Sequence, residues 1–270
     1  MDKYAVFGNP ISHSKSPLIH TEFAKQTEQA LQYTAIKAEI GQFAEAVNTF
    51  VADGGKGCNV TVPFKEDAFK VADHISERAQ LAEAVNTLTF NEDGTISADN
   101  TDGAGLVNDL QSHQAPLNKR ILLIGAGGAA RGVIKPLLDC QPEQLVIFNR
   151  THSKAQNLAE HFADYGNITA MTEKELEQST GFDVVINSTS ASLSDELPPV
   201  PATIFSQGGF AYDMAYGNKP TVFVEWALSN GCQTSLDGLG MLVGQAAVSF
   251  EIWREVKPET QTVIQALRQS

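Results

Sequence analysis

The stretch from Arg120 to Thr151 restricts the fold of this chain more than any other. An apolar run, Ile121-Leu122-Leu123-Ile124, leads into Gly125-Ala126-Gly127-Gly128-Ala129-Ala130, a helical stretch, and a second apolar run, Leu145-Val146-Ile147-Phe148, ending in Asn149-Arg150-Thr151. This reads as strand, glycine turn, helix and strand, the unit from which open parallel sheets are built. Such a turn aims backbone N–H groups and the positive end of the helix at a diphosphate, and its glycines let the ligand come close to the backbone. A glycine run after an apolar strand also occurs as a plain tight turn; the complete strand–helix–strand context is what favours a dinucleotide. Ala130 stands where the stricter pattern has a third glycine, and it is small enough for close helix–strand packing. At the tip of the second strand, where a carboxylate would accept from a ribose 2′-hydroxyl, the chain has Asn149, Arg150 and Thr151, with Lys154 close behind. Two cations and two hydrogen-bonding side chains suit a 2′-phosphate, so the expected cofactor is NADP(H) rather than NAD.

The unit begins near position 120 of 270, and the residues before it are too many and too regularly apolar to be a tail, so two domains are expected. Acidic residues outnumber basic ones, 32 to 19, and the formal charge of −13 opposes binding to nucleic acid or to an anionic membrane surface. An anionic ligand must therefore be held by local cations. Cys58, Cys140 and Cys232 lie far apart beside apolar segments and read as buried structural thiols; neither they nor the six histidines show metal-ligand spacing. No apolar run approaches the roughly 18 residues of a membrane span, and the N-terminus passes straight into an apolar strand without the features of a secretion signal. A reducing cytoplasm is the expected compartment.

The first hundred residues alternate strand and helix. Tyr4 to Gly8 reads as a strand, Pro17 to Gln29 as a helix entered through proline, and Gln32 to Ala38 as a second strand. Phe43, Ala46, Val47, Phe50 and Val51 share one face of a helix between Gly41 and Ala52. Gly57 to Val62 is a third strand, and Asn91-Glu92-Asp93-Gly94 is a hairpin turn between two short strands. The expectation is a mainly parallel sheet with an antiparallel edge. Past Thr151 the pattern predicts a helix to about Ala163 and a helix opened by Thr172 with Glu175 in capping-box register. Strands follow at Asp183–Asn187, Gly209–Asp213 and near Cys232, the Thr221–Ser229 stretch is helical, and two helices, from Leu239 to Val256 and from Pro258 to Arg268, complete the pattern.

Segments that resist a packing explanation fall at predicted strand ends and in polar loops. They are Asn9 to Pro17, Asn59 to Lys65, Glu83 to Thr87 and Asp99 to Gly103. Ligands of open α/β sheets collect at the carboxyl ends of strands. Through these segments and the glycine turn, the chain resembles the shikimate dehydrogenase family over essentially its whole length. The resemblance rests on Ser14-Lys15-Ser16, the heptapeptide ending in Lys65, Asn86-Thr87, Asn100-Thr101-Asp102-Gly103 and the glycine turn. Asn149-Arg150-Thr151, Asn187-Ser188-Thr189-Ser190, Asp213-Met214-Ala215-Tyr216 and Gly238-Leu239-Gly240-Met241-Leu242 with Gln245 extend it. It implies two open α/β domains with a cleft between them: a substrate-binding, mainly parallel sheet domain (residues 1–101 with 238–270) and a Rossmann-type NADP-binding domain (102–237). It also implies reversible NADPH-dependent reduction of 3-dehydroshikimate to shikimate, on the route to aromatic amino acids, by a monomer or homodimer.

Hydride arriving at a ketone leaves an alkoxide that must be protonated, so a donor is needed within hydrogen-bond reach of that oxygen. Lys65 is the candidate and Asp102 its partner. Taken alone, Lys65 also reads as a surface lysine after a proline turn and Asp102 as an N-cap. For a small ring with three hydroxyls and a carboxylate, the expected contacts are Ser14, Ser16, Thr61, Lys65, Asn86, Asp102, Tyr216 and Gln245. Ser14 and Ser16 also read as an N-cap cluster before Pro17, and Gln245 as an exposed helix position whose apolar neighbours argue for burial. On the cofactor side the resemblance adds Thr189, Met214 and Gly238 to Gly125–Ala130, Asn149, Arg150, Thr151 and Lys154. Two departures stand out: Lys154 where many relatives have arginine, which keeps charge but loses bidentate contact, and Ser188 where many have alanine, expected to be silent. Rival readings are a quinate/shikimate dehydrogenase preferring NAD, a nonenzymatic NADP-binding regulator on the same fold, and a folate-linked dehydrogenase of similar architecture.

Overall fold

The computed structural model describes residues 1–269. The chain forms two compact units, Met1–Gly105 together with the chain from Val243 onward, and Leu106–Leu242. The cuts fall a few residues later than the sequence motifs placed them, because each lies inside a continuous helix rather than at the motif beside it.

In the first unit the order is β1 (Asp2–Gly8), α1 (Ser16–Gln26), β2 (Leu31–Lys37), α2 (Phe43–Ala52), β3 (Gly55–Val60), α3 (Lys65–Val71), β4 (His74–Ile75), α4 (Glu77–Ala82), β5 (Thr87–Phe90) and β6 (Ile96–Asp99), leading into α5 (Asp102–Ser112). The sheet runs β2-β1-β3-β5-β6-β4. Pairs β1/β2, β1/β3 and β4/β6 are parallel, while β5 is antiparallel to both neighbours. The reversed strand is therefore interior, not at the edge as the sequence suggested. Beyond it lie β6 and the two-residue β4, which is too short to show a period of two. The helices α3 and α4, of 7 and 6 residues, were likewise invisible to periodicity.

On one face, Phe7 packs edge-on against Phe43 and Phe50 at 6.0 and 5.8 Å, and Phe43 stacks on Phe64 at 5.2 Å. Helix α2 buries Phe43, Val47 and Phe50, but Val51, placed on the same face by spacing, is 39% exposed. Truncating a fully buried phenylalanine such as Phe7 costs about 3–5 kcal/mol. On the opposite face Tyr4 stacks on Trp253 at 4.7 Å, and the indole N–H donates to the Leu88 carbonyl at 3.1 Å. Gly57 makes room, since a Cβ there would lie 2.6 Å from that indole nitrogen.

The second unit continues with β7 (Arg120–Ile124), α6 (Gly128–Asp139), β8 (Gln144–Phe148), α7 (His152–His161), β9 (Ile168–Met171), α8 (Glu173–Glu177), β10 (Phe182–Asn187), β11 (Phe205–Asp213), α9 (Val222–Ser229) and β12 (Thr234–Leu236). Helices α10 (Leu239–Arg254) and α11 (Gln261–Arg268) end the chain. The sheet order is β12-β11-β10-β7-β8-β9 with every pair parallel. Counted from β7, this is the doubly wound order of dinucleotide-binding folds, with its switch point between β7 and β10. Residues Ile121 to Ile124 are essentially inaccessible, as expected of a strand covered on both faces. Thr172 and Glu175 form the reciprocal capping box of α8. All three cysteines are free thiols; Cys58 and Cys232 are buried, whereas Cys140 is only half-buried. No helix among the described residues is long and apolar enough to cross a membrane.

Candidate active site

Lys65 opens α3 directly after the Thr61–Phe64 turn, which is pinned by Thr61 N–H donating to the Phe7 carbonyl and by the stacked Phe64 ring. Its Nζ donates to Asp102 Oδ2 at 2.5 Å, with both side chains partly buried. Asp102 is the first residue of α5 rather than its cap. Its N–H donates to Asn100 Oδ1 at 3.1 Å, so the carboxylate is free of capping duty. Oδ1 of Asp102 instead accepts from Asn86 Nδ2 at 2.8 Å, and Gln245 Oε1 lies 3.4 Å from the same nitrogen. The structure thus brings Lys65, Asn86, Asp102 and Gln245 into one cluster. Gln245 is buried, and Gly105 is what lets α10 approach, since a Cβ there would run into the Gln245 backbone.

The ends of this cluster are fixed by a second ion pair. Arg78 grips Asp99 through Nε and Nη2 at 2.7 and 2.6 Å, and Ser76 Oγ donates to the same carboxylate at 2.6 Å. Burial pushes Asp99 upward, but the Arg78 and Ser76 hydrogen bonds outweigh it and hold the carboxyl below its ordinary pKa. Because Asp99 also accepts from Asn100 N–H, the turn carrying Asp102 is tied down.

The N-cap of α1 is Lys15 with no side-chain cap bond, so Ser14 and Ser16 do not form a capping cluster. Ser14 Oγ accepts from Ser16 N–H at 3.3 Å, and Ser16 is buried. Thr61 is half-buried with its methyl against Gly8, and its hydroxyl has no partner among the described residues. Tyr216, in the second unit, is exposed on the turn after β11. Sequence reasoning gave no role to the buried polar residues Asn59, Thr101 and Ser249 or to the Arg78–Asp99 pair, although Asn59, Thr101 and Asp99 lie in segments it singled out as lacking a packing explanation.

In the second unit Gly125 has φ +114°, a conformation that favours glycine, and a Cβ there would meet Ser188 Oγ at 2.5 Å. The first helical bond of α6 runs from Arg131 N–H to the Gly127 carbonyl at 3.0 Å, so the N–H groups of Gly128, Ala129 and Ala130 have no acceptor within the helix. A Cβ on Gly127 or Gly128 would stand in open space over this helix start, the space a diphosphate needs. Ala126 is half-buried and Ala129 exposed on the same turn, whereas Ala130 is fully buried beneath the helix. Asn149 Nδ2 closes the turn onto the Thr151 carbonyl at 2.9 Å. Arg150, Thr151 and Lys154 are exposed, and among the described residues their side chains make no hydrogen bond or ion pair. These groups fit a dinucleotide with a 2′-phosphate.

Thr189 and Met214 are assembled by one buried asparagine. Asn187 Oδ1 accepts from Thr189 Oγ1 at 2.7 Å, its carbonyl accepts from Met214 N–H at 2.9 Å, and its Nδ2 donates to Asp213 Oδ1 at 3.1 Å. Burial raises the pKa of Asp213 even though Ser192, Thr221 and Ala215 all donate to it. Gly238 lies so close to the Met214 carbonyl that a Cβ would collide with it. Ser188, expected to be silent, donates to the Ile124 carbonyl at 2.7 Å and so ties β10 to β7 at the switch point. No group of three or more His, Cys, Asp or Glu side chains among the described residues could hold a metal.

Comparison with known proteins follows the same division. Residues 6–88 match the family described as "Shikimate dehydrogenase substrate binding domain", 109–194 "Shikimate / quinate 5-dehydrogenase", and 238–268 "Shikimate 5'-dehydrogenase C-terminal domain". A protein of Vibrio atlanticus (strain LGP32) named shikimate dehydrogenase (NADP(+)) is 56% identical over 100% of this chain and 98% of its own length. The crystal structure of an Ael1 enzyme from Pseudomonas putida superposes with a TM-score of 0.94 at 46% identity, covering 99% of this chain and 98% of the other. Shikimate 5-dehydrogenase from Thermus thermophilus, in complex with NADP(H) and shikimate, gives a TM-score of 0.89 at 29% identity over 100% and 99% of the two chains. The chain belongs to the shikimate dehydrogenase family.

Proposed function

We propose that this protein interconverts 3-dehydroshikimate and shikimate with NADPH and NADP⁺, with the first unit holding the substrate and the second the cofactor. The Lys65–Asp102 pair, joined to Asn86 and Gln245, is the observation that carries this reading. When bound, NADPH supplies a hydride and NADP⁺ takes one up. The chain's own task is the proton. As the carbonyl carbon of 3-dehydroshikimate gains hydride, its oxygen becomes an alkoxide, and the Lys65 ammonium gives that oxygen a proton; in the oxidation Nζ takes the hydroxyl proton back. Asp102 orients Nζ with Oδ2 and is itself held by Asn86 at Oδ1.

Ser14 and Ser16 supply hydroxyl donors for the substrate carboxylate, and Thr61, Asn86 and Gln245 serve the ring hydroxyls or the carboxylate. The unpartnered Thr61 hydroxyl suits that role. Gly125–Ala130 hold the diphosphate, Asn149, Arg150, Thr151 and Lys154 the 2′-phosphate, and Thr189, Met214 and Gly238 line the remainder of the nucleotide site. Lys65, Asn86, Asp102 and Gln245 come from one chain, so a monomer carries the proton-transfer cluster and a homodimer need not share it. Free thiols fit a cytoplasmic enzyme.

The test is the rate of change of nicotinamide absorbance with shikimate and NADP⁺, run beside quinate and beside NAD⁺. The expected result is turnover with shikimate and NADP⁺ and much lower kcat/KM for either substitute. Preference for quinate or NAD⁺, or no turnover with any pair, would overturn the reading.

A further inference from the structure

Beneath the Lys65–Asp102 pair the first unit buries a column of polar side chains. Asn59, Asn86, Thr87, Thr101 and Ser249 are each at most 5% exposed. Burying so many polar groups costs free energy unless every one is hydrogen-bonded, and here each is. They come from β3, the start of β5, the turn before α5, and α10. Strand register sets part of the column, since Asn59 stands opposite Thr87.

Two backbone groups fix its direction. Thr101 N–H donates to Asn86 Oδ1 at 2.9 Å, so the Asn86 NH₂ must face the other way, toward Asp102 Oδ1. The Asn86 carbonyl accepts from Asn59 Nδ2 at 3.1 Å, so Asn59 Oδ1 faces Tyr33 Oη at 2.7 Å and His20 Nε2 at 3.1 Å, and both of these must donate to it. His20 is thereby the Nε2–H tautomer, with its buried Nδ1 left without a partner. Asn59 Nδ2 also donates to Ser249 Oγ at 2.9 Å. With that oxygen accepting, the Ser249 proton goes to its nearest acceptor, Thr87 Oγ1 at 2.8 Å, ahead of the Gln245 carbonyl at 3.1 Å. Thr87 in turn donates to Asn86 Oδ1 at 2.8 Å. One direction of donation runs from Tyr33 through Asn59, Ser249, Thr87 and Asn86 to the Asp102 carboxylate.

We infer that Thr87 and Ser249 are positioning residues for the proton-transfer pair, their hydroxyls holding the Asn86 amide with its NH₂ on Asp102. The inference rests on the assignment of Lys65 and Asp102 to proton transfer. The Thr101 N–H sets which way the Asn86 amide faces, and the Thr87 hydroxyl on the same Oδ1 holds it there firmly; without that hydroxyl the amide is held more loosely, and so is its NH₂ on the Asp102 carboxylate that holds Lys65. Neither hydroxyl touches the reacting atoms; both act through Asn86.

The test compares Thr87→Val, which keeps the shape and loses the hydroxyl, with Thr87→Ser, which keeps the hydroxyl and loses a methyl. Thr87→Val should lower kcat about tenfold or more with the shikimate KM changed less than about threefold, while Thr87→Ser stays within about twofold of the parent. A packing role predicts the reverse order. Thr87→Val combined with Ser249→Ala should be no slower than the slower single variant, because the two hydroxyls act in series. If Thr87→Val does not fold, Ser249→Ala against Ser249→Thr makes the same comparison. Parent-like kcat in the hydroxyl-less variants beside an inactive Lys65→Ala would overturn this inference alone. Parent-like kcat in Lys65→Ala as well would overturn the proton-transfer assignment and the inference with it.

Discussion

The two candidate sites are built from different material. In the first unit, side chains from elements far apart in sequence converge, and the polar groups around Lys65 and Asp102 are already hydrogen-bonded to one another. In the second, the diphosphate cradle is backbone: N–H groups at the start of α6, glycines without a Cβ, and cations at the tip of β8 that have no partner among the described residues. The first site is tuned for geometry at a reacting atom, where a small displacement is costly in rate. The second is left open and electrostatically unsatisfied until an anionic ligand arrives. Damage to the first should therefore appear in turnover, and damage to the second in which cofactor is accepted.

The largest expected effect is on the side-chain site. Lys65→Ala should lower kcat by roughly 10²–10⁴-fold with little change in the shikimate KM, since a proton donor acts mainly in the transition state. A raised KM at unchanged kcat in steady-state assays would reduce Lys65 to a binding residue. Asp102→Asn should follow with a smaller loss of kcat, at least about tenfold, together with a raised KM; parent-like kinetics would remove Asp102 from the site.

A stability measurement sharpens the comparison, because the polar column of the first unit ends on His20. Full burial depresses its pKa from 6.5 to about 3, although the Asn59 hydrogen bond opposes the shift. The unfolded chain takes up a proton as pH falls through 6.5 and the folded chain does not until about 3. This contribution is thus complete above about 6.5 and is lost progressively as pH falls. Between pH 7 and pH 5 it amounts to about 2 kcal/mol. His20→Phe should remove that part of the pH dependence in urea unfolding. Equal slopes for parent and variant would show that His20 protonates in the folded state.

The difference in material also explains what the sequence revealed. The cofactor site is contiguous, so Ile121 to Thr151 displayed strand, turn, helix and 2′-phosphate clamp within one window. Thr189 and Met214 are gathered through Asn187, a residue that looks like the last position of an ordinary strand, Gly238 packs against Met214, and only the family resemblance marked these three residues. The substrate site is scattered from Ser14 to Gln245. Its residues were visible as polar groups without a packing reason, whereas Ser249 was hidden because a buried polar side chain inside an apolar helix carries no local signature. The strand β5 was expected from its hairpin turn, but its interior position was missed for a related reason: β4 gains its place at the edge from pairing with β6, not from any pattern of its own.

The central claim is that proton chemistry and cofactor choice belong to different residues and can be separated. It is tested most directly by the ratio of kcat/KM for NADP⁺ to that for NAD⁺, measured with shikimate in the parent, Lys65→Ala and Arg150→Ala. Charge-assisted hydrogen bonds to a phosphate contribute roughly 1.5–3 kcal/mol, so Arg150→Ala should lower the ratio by about tenfold or more. Lys65→Ala should lose activity with both cofactors alike and leave the ratio where it was. A ratio unchanged in Arg150→Ala, or shifted as far by Lys65→Ala, would contradict the division.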